Sequence, residues 1–157
     1  MNNFINIVLL KCRPMIVVYV DGLCEPTNPN GIATYGFTVY KNREHVLEGY
    51  GVVGEGEGMS NNVGEYAALC EALKALIKLD LTGEKVLVKS DSKLLVNQMN
   101  GVWRCHGGYY IQKYEEARGL VRLFKSIRFV WVPREENREA DALSRRAYEE
   151  YLLSHKV

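Results

Sequence analysis

The sequence predicts an α/β domain built on a mixed sheet. Near its start, strand-like segments follow one another with only tight turns between them, the signature of an antiparallel meander. Further on, two strand-like segments each arrive after a helical one, which favours parallel pairing through right-handed crossovers. The chain has 157 residues, 47% hydrophobic and 25% charged, which suits one soluble domain with a full core.

The elements follow in order. "MIVVYVD" (15–21) is an apolar run of strand length that finishes on a carboxylate. "ATYGFTVYKN" (33–42) and "EHVLEGYGVVG" (44–54) are two more strands, joined by a turn at Lys41 to Arg43. "GEGEGMSNN" (54–62) is a glycine-rich loop. Tyr66, Leu69, Cys70, Leu73, Leu76 and Ile77 recur at helical spacing and predict a helix over 62–80, with Glu71, Lys74 and Lys78 on its other face. A fourth strand spans 85–90, and Ser92 to Asn100 is a short helix. A loop, "GVWRCHGG" (101–108), leads to an amphipathic helix over 109–125. "IRFVWVP" (127–133) is a fifth strand stopped by Pro133, and Asn137 reads as the N-cap of a last helix reaching about Leu153. The order is βββαβααβα, a sheet with helices on its faces.

Charge and motifs exclude several classes. Lys and Arg number 20 against 19 acids, so no global basic surface announces a polyanion partner. No apolar run approaches a membrane span. Residues 1–14, "MNNFINIVLLKCRP", lack a basic n-region and cleavage site, so they do not read as a signal peptide. They read equally as an extension ahead of a start at Met15 and as an extra edge strand; residues 15–157 read as the single domain. Cys12, Cys24, Cys70 and Cys105 show no metal-ligand spacing and suit idle thiols in a reducing cytoplasm. A cytoplasmic monomer is expected. His45 and His106 read as surface residues, and Trp103 as a packing residue.

Four acids stand out by position. Asp21 ends the first strand and Asp91 the fourth. If those strands are parallel neighbours, both carboxylates emerge at one sheet edge, where open α/β sheets place ligands. Glu65, in the first turn of its helix, flanks the apolar stripe. Asp141 flanks the stripe of Ala140, Ser144, Ala147, Tyr148 and Tyr151. Each acid alone has a plainer reading. Asp21 suits the turn that follows it, Asp91 an N-cap, and Glu65 and Asp141 a helix dipole. Together they repel, and no Lys or Arg is evidently placed among them. A divalent cation compensates such a set. Carboxylate-only ligands select Mg²⁺ or Mn²⁺, and four of them suit two ions about 4 Å apart, the arrangement for in-line phosphodiester displacement by water.

The motifs "YVDGLCEPTNPNG", "SNNVGEYAAL", "VKSDSKLLVNQMNG" and "WVPREENREADALSRRA" resemble the type 1 ribonuclease H family, particularly its short archaeal and bacterial members. The match runs from about residue 15 to 152. The resemblance implies the ribonuclease H-like fold, a five-stranded mixed sheet of order 3-2-1-4-5. It also implies endonucleolytic cleavage of the RNA strand of RNA/DNA hybrids, leaving 5′-phosphate and 3′-hydroxyl ends. The family's catalytic and metal-binding Asp-Glu-Asp-Asp set falls on Asp21, Glu65, Asp91 and Asp141. Recognition of 2′-hydroxyls falls on Gly22, Cys24, Asn28, Ser60, Asn61 and Asn62.

Two features depart from the family. The loop "PREENREAD" has no histidine; Arg134, Glu135 or Glu136 are the candidates to replace it. The basic protrusion of larger members is also missing, with only "GVWRCHGGYY" in its place; Trp103 and Arg104 are the candidate contacts to the DNA strand there. Fewer phosphate contacts follow, and RNA/RNA duplexes stay open as a substrate. The rival readings are a same-fold nuclease acting on RNA/RNA duplexes or junctions, and a non-catalytic hybrid-binding module.

Overall fold

The computed structural model describes residues 15–155. The two readings of residues 1–14 lie outside the described residues. The strands are β1 (Met15–Glu25), β2 (Ile32–Lys41), β3 (Glu44–Glu55), β4 (Lys85–Ser90) and β5 (Ser126–Trp131). The helices are α1 (Asn61–Lys78), α2 (Lys93–Met99), α3 (Ile111–Val121) and α4 (Arg138–Ser154), with a 3₁₀ turn at Arg134–Glu136 before the last. They form one five-stranded sheet of order β3-β2-β1-β4-β5. The meander is antiparallel, and β4 and β5 join it in parallel. The expected architecture therefore stands.

Alternation along β1 explains its central place. Ile16, Val18 and Val20 are fully buried, in one core with Tyr66, Leu69, Leu73 and Leu76 of α1. The opposite face of β1–β3 is covered by α4 through Ala140, Leu143, Ser144 and Ala147. Tyr40 donates to the Glu139 carboxylate, Tyr50 to Glu150 at 3.0 Å, and Tyr151 to Glu55, so phenol–carboxylate bonds fasten this helix along its length. The Thr34 hydroxyl adds a buried bond to the Ser144 carbonyl at 2.8 Å.

Both helices approach the sheet more closely than a side chain allows. A Cβ on Gly22 would sit 2.1 Å from the Gly64 carbonyl carbon and 2.3 Å from the Glu65 nitrogen. A Cβ on Gly36 would sit 2.5 Å from the Ala140 carbonyl oxygen. Gly36 is the register partner of Asp21. These two glycines bring the segments carrying Glu65 and Asp141 against the strand that carries Asp21.

Several boundaries differ from expectation, and the first matters. β1 does not end at Asp21. It continues to Glu25, because β2 pairs with it as far as Glu25↔Ile32, whereas β4 leaves after Val20↔Ser90. The helix expected over 109–125 is shorter, Ile111–Val121, and β5 ends at Trp131, ahead of Pro133. Trp103 is not a packing residue, being 46% exposed. The loop bearing it is instead held by Gln98, which accepts from Tyr66 at 2.7 Å and donates to Tyr110 at 2.9 Å and to the Arg104 carbonyl at 3.3 Å. His45 and His106 are exposed, as expected.

Gly22→Ala is expected to cost about 3 kcal/mol or more, the upper range for overpacking, because both obstructing atoms are backbone. Urea denaturation checks it; a cost under about 1 kcal/mol would show that α1 can retreat.

Candidate active site

Asp21 lies where β1 has just lost β4 as a neighbour. It is 5% exposed, and its Oδ1 accepts the Gly22 amide at 2.9 Å. Asp91 is the first residue past β4. Glu65 comes over from α1, delivered by the Gly22–Gly64 contact. One oxygen from each of Asp21, Glu65 and Asp91 lies within 4.8 Å of the others. Asp141, in the first turn of α4, stands beside this trio. It is near enough for its charge to disfavour ionisation of both Asp21 and Glu65.

The plainer uses of these acids are mostly taken by other residues. The N-cap of α2 is Ser92, whose hydroxyl accepts the Leu95 amide at 3.1 Å, so Asp91 is free of that duty. Glu65 lies past the first turn of α1, whose N-cap is Ser60, accepting from Val63 at 3.2 Å. One expectation is corrected: a basic residue does stand at the acids. The Arg145 Nε lies 3.2 Å from Asp141 Oδ2, one helical turn on. Among the described residues its only ion pair is with Asp141, outside the trio.

The trio is poorly compensated as it stands. Burial first, and the Asp91 charge second, push the Asp21 carboxyl up to about 8. Burial, then Asp21 and Asp91, hold Glu65 well above the ordinary carboxylate range. Glu65 Oε2 is sealed from solvent and has no hydrogen-bond partner. An orphaned oxygen on a carboxylate grouped with two others fits a hard cation bound on oxygen ligands.

Asn137 holds the N-cap position that the sequence predicts, but its side chain is used elsewhere. It stands at the N-terminus of α4 but makes no side-chain capping bond. It is 1% exposed, and its amide nitrogen donates to the Val20 carbonyl at 2.8 Å and to Asp91 Oδ1 at 3.0 Å. Two acceptors on one side fix which end of the amide is nitrogen. The bond to Val20 satisfies a carbonyl just where the β1–β4 ladder stops, and the bond to Asp91 orients a carboxylate of the trio. The only signal in the sequence was an Asn before an amphipathic helix, which reads equally well as a cap.

The remaining candidates surround the trio unevenly. Asn28 Oδ1 accepts the Asn61 amide at 2.9 Å, tying the loop after β1 to the start of α1, where Ser60 and Asn62 also lie. Gly22 and Cys24 lie on the part of β1 beyond β4; the Cys24 side chain is buried, its thiol donating to the Thr27 carbonyl at 3.2 Å. Arg134, Glu135 and Glu136 form the exposed 3₁₀ turn.

Known proteins place this geometry. The family described as reverse transcriptase-like matches residues 20–147. A bifunctional protein of Mycobacterium tuberculosis is 36% identical over 132 residues, covering 82% of this chain. Ribonuclease HI of Halobacterium salinarum is 31% identical over 132 residues, 84% of this chain and 63% of that protein. The chain belongs to the type 1 ribonuclease H family. The chain spans about a third (34%) of the length of the Mycobacterium relative. That relative's N-terminal ribonuclease H domain has a solved structure with TM-score 0.80 and 30% identity, covering 90% of this chain and 99% of the domain. LC11 ribonuclease H1, solved in complex with an RNA/DNA hybrid, gives TM-score 0.79 at 30% identity over 87% of this chain and 99% of its own. The ribonuclease H fold thus accounts for the sheet order.

Two predictions follow from these interactions. In chelator, the folded protein holds protons on Asp21 up to about 8, against 3.8 for the free group. A raised folded value means that stability is greatest below the unfolded value and is lost as pH rises through the folded one. The melting temperature of the metal-free protein relative to Asp21→Asn is therefore expected to fall between about pH 4 and pH 8 and then level off. Calorimetry of the two proteins checks it; parallel curves would mean that Asp21 ionises normally. For Asn137→Ala, the loss of both bonds is expected to cost about 1–3 kcal/mol. Asn137→Asp sets a further carboxylate against Asp91 and should cost more at pH 7 than at pH 4, as read by urea denaturation.

Proposed function

We propose that this protein hydrolyses the RNA strand of RNA/DNA hybrids, with Asp21, Glu65, Asp91 and Asp141 as its catalytic carboxylates. The observation that carries the reading is the trio within 4.8 Å, with a sealed and unpartnered Glu65 oxygen, at the point where β4 leaves β1. Relationship to ribonucleases H, one of them solved on such a hybrid, supplies the substrate class. Retention of all four acids favours an enzyme over a binding module.

The four carboxylates would hold two Mg²⁺ or Mn²⁺ ions, whose chemistry is to lower the pKa of a bound water and neutralise charge on the leaving 3′-oxygen. The chain's own residues do the rest. Asp21 and Glu65 bring negative charge that burial makes costly to leave uncompensated, so the site favours binding a cation with its substrate phosphate. Asn137 keeps Asp91 turned toward Asp21. Arg145 restrains Asp141 through an exposed one-turn pair, a weak contact of about 0.3–0.5 kcal/mol, so this acid can be drawn inward at little cost. Asn28, Ser60, Asn61 and Asn62, with the main chain of Gly22 and Cys24, form the polar surface for 2′-hydroxyls across a shallow minor groove. The Asn28–Asn61 bond sets the two halves of that surface against each other. With no histidine in the loop before α4, Arg134, Glu135 or Glu136 is the residue to take its place. Free thiols at Cys24, Cys70 and Cys105 suit a reducing, cytoplasmic setting.

A strand-labelled cleavage assay on hybrid, RNA/RNA and DNA/DNA duplexes tests the reading, with Mg²⁺, Mn²⁺ or chelator. Cutting is expected in the RNA strand of the hybrid, with either metal and not in chelator. Asp21→Asn and Asp91→Asn should each bring it to background while the protein stays folded. Metal-dependent cutting that survives either substitution would sink the assignment; preference for RNA/RNA or for a junction would move it to another substrate.

A further inference from the structure

Trp131 is the last residue of β5 and the register partner of Ser90, so it stands at the same sheet edge as Asp91. It is 42% exposed, unusual for so large an apolar surface. Its ring is nevertheless fixed, because the indole N–H donates to the Asp91 carbonyl at 3.1 Å. Over that ring lies the Lys93 ammonium, 5.2 Å from the centroid. Lys93 opens α2, two residues beyond Asp91. It is exposed, and among the described residues no carboxylate comes within ion-pair distance of it, although the acids of the trio begin next door.

A free lysine is usually a mobile, solvated charge. Here an aromatic face biases the ammonium toward one place without neutralising it. The result is an unneutralised positive charge at the rim of a negative site. Cations held by the carboxylates would take the phosphate to be cut; its neighbours along the strand carry charges that the acids repel. A lysine acts as a point charge toward phosphate. The missing basic protrusion makes each such contact count for more of the total.

We propose that Lys93, positioned by Trp131, binds a phosphodiester adjacent to the scissile one in the bound hybrid, Trp131 acting through Lys93. The proposal rests on reading the carboxylates as a nuclease site, and its test separates the two. Binding of a fluorescein-labelled 12-base-pair RNA/DNA hybrid is measured by anisotropy over a salt series with Mg²⁺, all proteins carrying Asp21→Asn to prevent cutting. Cleavage by the protein with Asp21 intact is recorded on the same hybrid.

Lys93→Gln is expected to weaken binding about five- to tenfold at low salt and to reduce the slope of log affinity against log salt by about one. Lys93→Arg should restore the slope. Trp131→Leu should weaken binding, and adding it to Lys93→Gln should weaken binding no further, the sign of two residues acting as one. Melting temperatures of the Lys93 variants should match their parent, since the residue is exposed. An unchanged affinity and slope in Lys93→Gln overturns the proposal, and simple addition of the two losses overturns the role given to Trp131. Cleavage of the hybrid alongside an unchanged Lys93→Gln slope leaves the nuclease reading standing and removes only the Lys93 contact. A Lys93-dependent slope without cleavage does the reverse, and failure to bind the hybrid at all overturns both.

Discussion

β1 is longer than its parallel neighbour. It keeps β2 beside it to Glu25, but β4 departs after Ser90. Everything at the candidate site follows from that mismatch. Past Val20 one side of β1 has no strand against it, and three other segments converge there: the end of β4 with Asp91, α1 with Glu65, and the start of α4 with Asn137 and Asp141. Asn137 closes the interrupted ladder by donating to Val20 and spends the same nitrogen on Asp91. The backbone defect and the orientation of a carboxylate are thus handled by one side chain.

The convergence needs close packing, and close packing makes the charges expensive. Gly22 and Gly36 let α1 and α4 approach the strand to distances that exclude any side chain. Two like charges about 4 Å apart repel by about 4 kcal/mol at an effective dielectric near 20. A domain whose whole stability is of order 10 kcal/mol cannot leave three of them unrelieved. The choice is between protons and cations. Without cations, Asp21 keeps its proton into the neutral range and Glu65 is held well above the ordinary carboxylate range; with them, the same crowding becomes a binding site. Arg145 does not settle the matter, since it reaches only Asp141, from the solvent side.

The rim is built on a different principle from the centre. Around the trio, polar contacts are few and shared between loops, as with Asn28 and the Asn61 amide. On the β5 side the aromatic ring of Trp131 is tied to the main chain of Asp91. Asp91 and this rim are therefore tied directly to each other. A change in the register of β5 would be felt at Asp91 directly.

The sequence by itself determined the sheet, the order of its helices and the four acids, because strand alternation, helical period and turn residues are local and were all present in short windows. It also determined the family, through motifs such as "YVDG" and "READALS" at fixed spacing. What it could not determine was set by contacts distant along the chain. Whether β1 stops at Asp21 depends on β2, and so the apolar run alone ended the strand too early. Asn137 looks like a cap until Val20, 117 residues away, is brought to its amide. Trp103 and Trp131 carry the same side chain, yet nothing local says that one projects from a loop while the other is pinned beside a carboxylate. Only the tertiary structure decided those, because burial and hydrogen-bond partners belong to pairs of segments and not to either segment alone.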